Sequence, residues 1–132
     1  QGCKYLSELY HHNPAWLNPR DAERLGVSNG DAIRISSEIG EIVTQVFITE
    51  GVLPGVISIS HHCGHWQWGR FATAGKVRNP MAGSEQDDLD PDINRIWWKE
   101  SGVHPNFIIP NRGDPIGGMQ RWMDTVVSVH RV

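Results

Sequence analysis

The sequence lacks several features that define large classes of proteins. It has no apolar run near the ~18 residues that a membrane-spanning helix requires, and no charged-then-apolar signal segment at its start. Lysine and arginine are scattered singly and the formal net charge is −3, which argues against nucleic-acid binding. No C-x-x-C pair is present, so an iron–sulfur cysteine array is not indicated. We therefore expect neither a nucleic-acid partner nor direct membrane insertion.

The composition is that of an ordinary globular domain with one unusual residue type. The chain has 132 residues, 39% hydrophobic and 20% charged, which is enough for a single core. Its two cysteines, Cys3 and Cys63, could pair in an oxidising compartment or remain thiols. Six tryptophans are present, and tryptophan combines a large apolar face with one N–H donor. Such an excess indicates contact with a ligand or a partner surface.

One segment concentrates groups that can contact a ligand. Residues 57–60 alternate apolar and small polar side chains, as in a half-buried strand. A loop rich in donors and acceptors follows at once, and a rigid strand would hold it out from the sheet. This arrangement is typical of a site for a large, flat, hydrogen-bonding ligand. The loop consists of His61, His62, Cys63, Gly64, His65 and Trp66.

Two other interpretations of this loop remain open. His61, Cys63 and His65 have a spacing that could direct all three side chains one way from an extended segment, as metal ligands. A structural zinc site usually needs four ligands in two separated pairs, and the rest of the chain offers only Cys3 and a few histidines. We therefore predict no metal site. The histidines could also be solvated side chains of an ordinary loop.

The clearest local signals predict a short helix followed by a hairpin. Asn18 is a good N-cap, Pro19 suits the first helical position, and Gly26 suits the position just after the helix. An Asn-Gly turn then leads into an alternating stretch that predicts a strand over residues 32–37. Residues 41–48 place apolar groups on both faces, which predicts a second strand buried on both sides.

The rest of the chain is less regular. Short strands are predicted over residues 107–109 and 124–132, the latter with Val127 and Val129 on one face. Residues 72–101 lack a periodic pattern and predict a long surface excursion. Residues 111–118 contain Asp-Pro and Gly-Gly pairs and predict a turn-rich loop. We therefore expect a mainly β fold with one or two short helices and long loops.

Short motifs occur in a characteristic order from about residue 5 to the end of the chain. They are N-P-A-W-L-N-P-R-D-A at 13–22, L-G-V at 25–27, N-G-D at 29–31, P-G-V at 54–56, the loop at 61–66, and W-M-D-T-V-V at 122–127. Together they resemble the C-terminal dinucleotide-binding domain of molybdopterin oxidoreductases, the family of dimethyl-sulfoxide reductase, formate dehydrogenase and nitrate reductase. The loop, with H-P-N at 104–106 and D-P at 114–115, is most similar to the polysulfide, thiosulfate and tetrathionate reductase branch.

The resemblance implies a fold and a biological setting. The fold would be a double-psi β-barrel with long loops at one end. Residues 1–132 would form a single domain, a C-terminal fragment of a much larger catalytic subunit. In that family the domain closes over a molybdenum or tungsten bis(molybdopterin guanine dinucleotide) cofactor. The implied partners are an iron–sulfur electron-transfer subunit together with the other domains of the catalytic subunit, in a periplasmic or cytoplasmic prokaryotic enzyme.

The resemblance also implies cofactor-contacting residues. Asn106 corresponds to the family's pterin-contacting asparagine region, and Arg112 is a candidate partner for a phosphate, although a solvated loop arginine is the alternative. The family's protein ligand to the metal lies in another domain, so no catalytic residue and no metal ligand is expected here. The isolated chain should hold no cofactor and catalyse nothing. From the loop, the implied contacts are His61, His62, Gly64, His65 and Trp66. For Trp66, a hydrophobic plug between domains is an equal alternative to ligand contact.

Two competing functions follow from the same residues. The chain could be a stand-alone barrel that binds a small molecule or a protein without redox chemistry. It could also be a hydrolase that uses Cys63 with a nearby histidine, but no aspartate or asparagine is visibly placed to orient that histidine. A tryptophan-rich surface suits a fragment of a larger enzyme better than a self-sufficient module.

Overall fold

The computed structural model describes residues 9–10, 12–64, 72–73, 76–77 and 102–132. Its two compact units are Gln1–Asn13 with Ser60–His104, the first unit, and Pro14–Ile59 with Pro105–Val132, the second unit. The described elements in chain order are β1 (Ala15–Leu17), α1 (Pro19–Leu25), β2 (Ala32–Ser36), β3 (Glu41–Ile48), β4 (Ala72–Thr73), β5 (Lys76–Val77), a 3-10 turn (Pro105–Phe107) and β6 (Ser128–Arg131).

A four-stranded mixed sheet forms the body of the second unit. Its strands lie in the order β1-β3-β2-β6. β2 pairs antiparallel with both β3 and β6, whereas β1 runs parallel to β3. Parallel neighbours need a crossover connection, and α1 and β2 lie in the chain between β1 and β3. The prediction of a mainly β fold with a short helix is confirmed, in the form of an open mixed sheet.

The helix α1 begins and ends at the residues that its sequence signals predict. The side chain of Asn18 accepts a hydrogen bond from the Arg20 N–H at 3.0 Å, which satisfies one of the orphan donors of the first turn. Pro19 occupies the first turn, where a missing N–H costs nothing. Gly26 ends the helix in the left-handed conformation, with φ of 66°.

Two side chains at the start of α1 also hold the loop that follows β3. The Asn18 amide donates to the carbonyl of Val52 at 2.9 Å. The Asp21 carboxylate accepts the N–H of Gly55 at 2.6 Å and also contacts Arg24 at 3.1 Å. Both side chains are buried, so these hydrogen bonds replace water that burial removes. The helix cap thereby fixes a loop more than thirty positions further along the chain.

The core of the second unit lies against one face of the sheet. Ile33 and Ile35 of β2 are fully buried, and they alternate with exposed neighbours as predicted. The prediction that β3 is buried on both faces is wrong. Ile42 and Val46 are buried, whereas the other face of the strand carries Val43 and Phe47 at 44% and 45% exposure. The remaining buried apolar residues of this unit are Ala15, Leu17, Ala22, Val27 and Ile108.

The predicted strand over residues 57–60 does not form. Only an isolated bridge between Trp16 and Ser58 is present, with N–H···O distances of 2.8 and 3.3 Å. β1 is only three residues long, because the chain turns at Asn18 into the helix. A ladder cannot extend beyond its partner strand, so the alternating sequence has nothing further to pair with.

The predicted strand over residues 107–109 is also wrong. The chain forms a 3-10 turn over Pro105–Phe107, and the Ile108 N–H donates to the Pro105 carbonyl at 3.0 Å. Proline fixes a φ that suits the start of such a turn. Gly40, in the β2–β3 connection, lies so close to the Phe107 carbonyl that a Cβ atom there would collide with it.

The last strand is shorter than predicted but keeps its predicted faces. β6 covers Ser128–Arg131 rather than residues 124–132. Val129 is half-buried opposite Ile35, while His130 is exposed opposite Arg34. The strand is therefore limited to the length over which β2 can pair with it.

Two short strands lie in the region predicted to be an irregular excursion. Ala72–Thr73 and Lys76–Val77 pair antiparallel as β4 and β5 of the first unit. The sequence did not predict these two strands, because two-residue strands carry too few side chains to show alternation. The other residues of the predicted excursion, 74–75 and 78–101, lie outside the described part of the chain. Within the described residues, no helix is both long and apolar enough to cross a membrane.

Candidate functional site

The histidine loop, residues 61–64 in the described part of the chain, presents two imidazoles to solvent. His61 and His62 are exposed, with ring centroids 4.2 Å apart and ring planes inclined at 32°. Cys63 and Gly64, which follow directly, are buried. The loop is therefore anchored at its glycine end and displays its two ring donors and acceptors at the surface.

Ser60 orients the second of these rings. Its hydroxyl oxygen lies 3.0 Å from Nδ1 of His62 and also accepts the His62 backbone N–H at 3.4 Å. The hydroxyl can either donate to Nδ1 or accept from it, depending on the tautomer of the ring. In both cases Nδ1 is engaged, and His62 as a whole is exposed.

The backbone of Gly64 makes a contact that no other residue could make. Its φ is +81°, a conformation that L side chains rarely adopt. A Cβ atom on Gly64 would collide with the backbone of Val103 and His104. Gly64 was predicted to contact the cofactor, and its described contact is with the 103–104 segment of its own chain. The loop therefore packs against the 103–104 segment at Gly64.

Asn13 is a fully buried polar residue that the sequence did not identify as a site residue. Its side-chain N–H groups donate to the carbonyl of Ser60 at 2.6 Å and to the carbonyl of Val103 at 2.9 Å. Its side-chain oxygen accepts the Val103 N–H at 2.8 Å. These partners lie 47 and 90 positions away. A residue before proline is biased towards an extended backbone, and no local pattern could have revealed the contacts.

Cys63 lies in a setting that suits packing rather than nucleophilic chemistry. Its side chain is 2% exposed, and buried structural thiols are generally inert. Nearby, the ring of Tyr10 stacks on that of His12 at 5.9 Å. The pKa of Tyr10 is raised by burial and, secondarily, by the charge that Cys63 would carry as a thiolate. This setting argues against the hydrolase interpretation. Cys3 lies outside the described residues.

Asn106 and Arg112 belong to the second unit. Asn106 is exposed in the 3-10 turn. The exposed guanidinium of Arg112 makes an ion pair with Glu38, at 3.0 Å between Nη2 and Oε2. An exposed ion pair contributes little stability, so a phosphate could replace the carboxylate at small cost.

The loop that carries Arg112 is a tight hairpin, as the turn signals predict. Its Asp114 carboxylate accepts the N–H groups of Ile116 and Gly117 at 3.0 and 2.6 Å. These two hydrogen bonds, the one from Ile116 first, lower the pKa of Asp114. The carboxylate therefore acts as the organising group of the turn.

Two predicted site residues, His65 and Trp66, lie outside the described residues. His65 was also the third member of the alternative metal site, with His61 and Cys63. Among residues 9–10, 12–64, 72–73, 76–77 and 102–132, no group of three candidate metal ligands is found. His61 is exposed whereas Cys63 is buried, so these two side chains face different surroundings.

Comparison with known proteins identifies the family. Residues 2–126 match the family model described as "Molydopterin dinucleotide binding domain". The chain is 32% identical to a selenate reductase of Mesobacillus selenatarsenatis, over 94% of the chain and 13% of that protein. It is 37% identical to dimethyl sulfoxide reductase DmsA of Escherichia coli, over 89% of the chain and 11% of that protein.

Two further similarities are more limited. A tetrathionate reductase of Salmonella typhimurium is 43% identical over 48% of the chain and 7% of that protein. Among solved structures, acetylene hydratase from Pelobacter acetylenicus superimposes with a TM-score of 0.60, over 96% of the chain and 15% of that protein. At 14% identity this last similarity concerns the fold alone.

The chain spans about a tenth of the length of the curated relatives that it matches, at 10%, 7% and 13% for three of them. The family match, in contrast, covers nearly all of its residues. This finding favours a cofactor-binding domain over a stand-alone module without redox chemistry. The chain belongs to the molybdopterin dinucleotide-binding domain family of the molybdopterin oxidoreductases.

Proposed function

We propose that this chain contributes pterin and nucleotide contacts to a molybdopterin guanine dinucleotide cofactor within a larger catalytic subunit. The observation that carries the proposal is the histidine loop, whose two imidazoles are exposed at the surface of a domain that belongs to this family. The larger enzyme would reduce or oxidise a small substrate, and its relatives include selenate, tetrathionate and dimethyl sulfoxide reductases.

The available side chains fit the chemistry of such a group. A pterin edge presents both N–H donors and carbonyl or ring-nitrogen acceptors, so it needs partners that can do both. The ring nitrogens of His61 and His62 can donate or accept hydrogen bonds, and the exposed amide of Asn106 has both kinds of group. Phosphates need donors with positive charge, which Arg112 supplies.

Each residue has a defined task in this proposal. His62, with its ring oriented by Ser60, would bind an edge of the pterin through the nitrogen opposite Nδ1. His61 and Asn106 would make further pterin contacts, and Arg112 would exchange Glu38 for a phosphate. Gly64 would keep the loop close to its own support, and the proposal extends to His65 and Trp66. When bound, the cofactor supplies the redox chemistry, and the chain binds and orients it.

The finer features of the family belong to the same proposal. We expect the complete fold to be a double-psi β-barrel, with the chain as a single C-terminal domain of the catalytic subunit. Its partners would be the other domains of the enzyme and an iron–sulfur protein that transfers electrons. Within the family, the similarity to tetrathionate reductase supports placement in the polysulfide, thiosulfate and tetrathionate branch.

The direct test compares histidine variants in the full-length holoenzyme. His61→Ala and His62→Ala should each remove a polar contact worth about 1–3 kcal/mol and lower cofactor occupancy. His130→Ala is the matched control, because His130 is also exposed but lies on β6 of the sheet. Molybdopterin and metal content, measured per folded protein, give the result. Unchanged occupancy and turnover in both loop variants would contradict the proposal.

A further inference from the structure

Asn13 is a buried polar group in the first unit to which the proposed cofactor site gives no task. Its side chain is 0% exposed. A primary amide that has left water must find partners for its two N–H groups and its oxygen, because each unmatched group is costly. Three hydrogen bonds of Asn13 are made with backbone groups of two distant segments, at Ser60 and Val103.

Those backbone groups lie at the start of the histidine loop and on its support. Ser60, whose carbonyl accepts one N–H of Asn13, directly precedes His61. Val103, whose carbonyl and N–H both bond to Asn13, belongs to the segment on which Gly64 rests. Asn13 therefore links Ser60 to Val103, while Gly64 contacts Val103 at the other end of the loop.

The loop is consequently fixed at both ends to one short segment. Between these ends lie His61, His62 and Cys63, and the two imidazoles are the exposed part. Fixing both ends of a three-residue span restricts where the two rings can point before any ligand arrives. Such pre-organisation reduces the ordering entropy that binding would otherwise have to overcome.

The amide is the group that this position requires. It must give two hydrogen bonds to two carbonyl oxygens and receive one from an amide N–H. Aspartate has nearly the same shape but, when ionised, only accepts hydrogen bonds, so it would face both carbonyls without a proton. Serine has one donor and is shorter. Neither can replace the full set of contacts.

We propose that Asn13 is a positioning residue for the cofactor: by tying Ser60 to Val103, it holds His61 and His62 in the orientation that binds the pterin. The inference rests on the proposed function. It assigns to Asn13 a task that acts through the loop and involves no contact with the reacting atoms.

The test uses the full-length holoenzyme with Asn13→Asp, and with Asn13→Ser if the first variant does not fold. Asn18→Asp is the matched control, because Asn18 is also a buried asparagine. Its replacement by aspartate also removes an N–H group that donates to a backbone carbonyl, that of Val52. Three quantities are compared: amide hydrogen exchange of residues 60–64 and 102–104, cofactor dissociation, and the electron paramagnetic resonance signal of the bound group.

In either Asn13 variant, exchange at both segments should rise and cofactor dissociation should accelerate by roughly 10- to 100-fold, which corresponds to about 1.4–2.8 kcal/mol of lost binding free energy. The resonance signal should change as well. The control should lose a similar stability while leaving all three quantities as in the wild type. If the role of Asn13 were purely structural, the Asn13 variant and the Asn18→Asp control would both lose stability, and the resonance signal would change in neither of these proteins.

The outcomes separate this inference from the proposal on which it rests. The positioning role alone would be overturned if the wild-type enzyme contained the cofactor and the Asn13 variants showed the same cofactor dissociation and the same resonance signal. A wild-type protein that carries no molybdopterin would overturn the proposed function and the positioning role together. Equal changes in the Asn13 variants and in Asn18→Asp would also overturn the positioning role, since they would show a general loss of stability.

Discussion

Gly64 adopts a φ of +81° and lies against the backbone of Val103 and His104. Two separate constraints therefore act on this one position. A side chain would strain the backbone, and its first carbon would have no space. Gly30 has a similar φ of +86° but nothing within 4 Å of where a Cβ would lie. Substitutions at Gly64 and Gly30 therefore allow the cost of backbone strain to be separated from the cost of steric collision.

We predict that Gly64→Ala destabilises the fold more than Gly30→Ala. Gly30→Ala should cost about 1–2 kcal/mol from the left-handed backbone alone. Gly64→Ala adds an overpacking term of about 1–3 kcal/mol, because backbone atoms cannot swing away as a side chain can. Denaturant unfolding of both variants measures the difference. Equal losses would mean that the 103–104 segment moves aside freely.

Asp114 gives a prediction about pH at the scale of one residue. Its pKa is lowered below the ordinary value of 3.8, first by the hydrogen bond from Ile116 and then by that from Gly117. A group whose pKa falls on folding stabilises the fold above its unfolded pKa. That contribution is lost as the pH falls through the lower, folded value.

Acidification below pH 3.8 should therefore loosen the turn after Asp114. We expect the amide resonances of Ile116 and Gly117 to titrate together, with a midpoint below that of an unstructured aspartate. In Asp114→Asn the same amides should lose this titration. A midpoint at or above the ordinary value in the wild type would contradict the account.

At the scale of elements, α1 follows directly after β1 and also binds the loop after β3 through a side chain. Asp21 has 8% exposure and receives the Gly55 N–H at 2.6 Å. Glu23, two positions further along the same helix, is exposed. The two carboxylates therefore carry equal charge but differ in burial and in contact with the loop.

We predict that Asp21→Ala destabilises the protein by about 1–3 kcal/mol, because the Gly55 N–H loses its partner. Glu23→Ala should change stability by less than about 0.5 kcal/mol, as is usual for exposed sites. Urea unfolding checks both values, and hydrogen exchange at Gly55 should increase only in the first variant. If the two variants behaved alike, the helix would not be holding the loop.

Local signals predicted the elements that local chemistry determines. The caps at Asn18 and Gly26 specify α1 without reference to the rest of the chain, and alternation specifies β2. Residues 57–60 alternate equally well but form only one bridge, since the available partner ends at Leu17. A strand needs a neighbour of matching length, and the sequence of one segment does not contain that information.

The same limit applies to the candidate site. The loop that displays His61 and His62 could be singled out as a candidate because its residue types are unusual for an ordinary connection, and its contact with the cofactor stays a prediction. Asn13 could not, because its significance lies in partners 47 and 90 positions away. The class of ligand was inferred from the resemblance to a family, whereas Asn13 was recognised only from its hydrogen bonds in the structure.

At the scale of the whole molecule, the chain represents about a tenth of the length of its relatives, at 10%, 7% and 13% for three of them. Redox chemistry in an enzyme of this kind belongs to the cofactor, and the protein positions and tunes it. A domain that makes only some of the contacts should contribute only part of the binding free energy. Affinity therefore depends on the domains acting together.

We predict that the isolated 132-residue chain contains no stoichiometric molybdenum, tungsten or iron and has no reductase activity. The polar contacts proposed for it, at about 1–3 kcal/mol each, should bind the free cofactor only weakly. Elemental analysis and cofactor titration provide the measurements, with circular dichroism as the control that the chain is folded. Stoichiometric metal would instead support a site made by His61, Cys63 and His65. In that case Cys63→Ser should abolish metal binding, because serine lacks the thiolate that zinc and copper prefer.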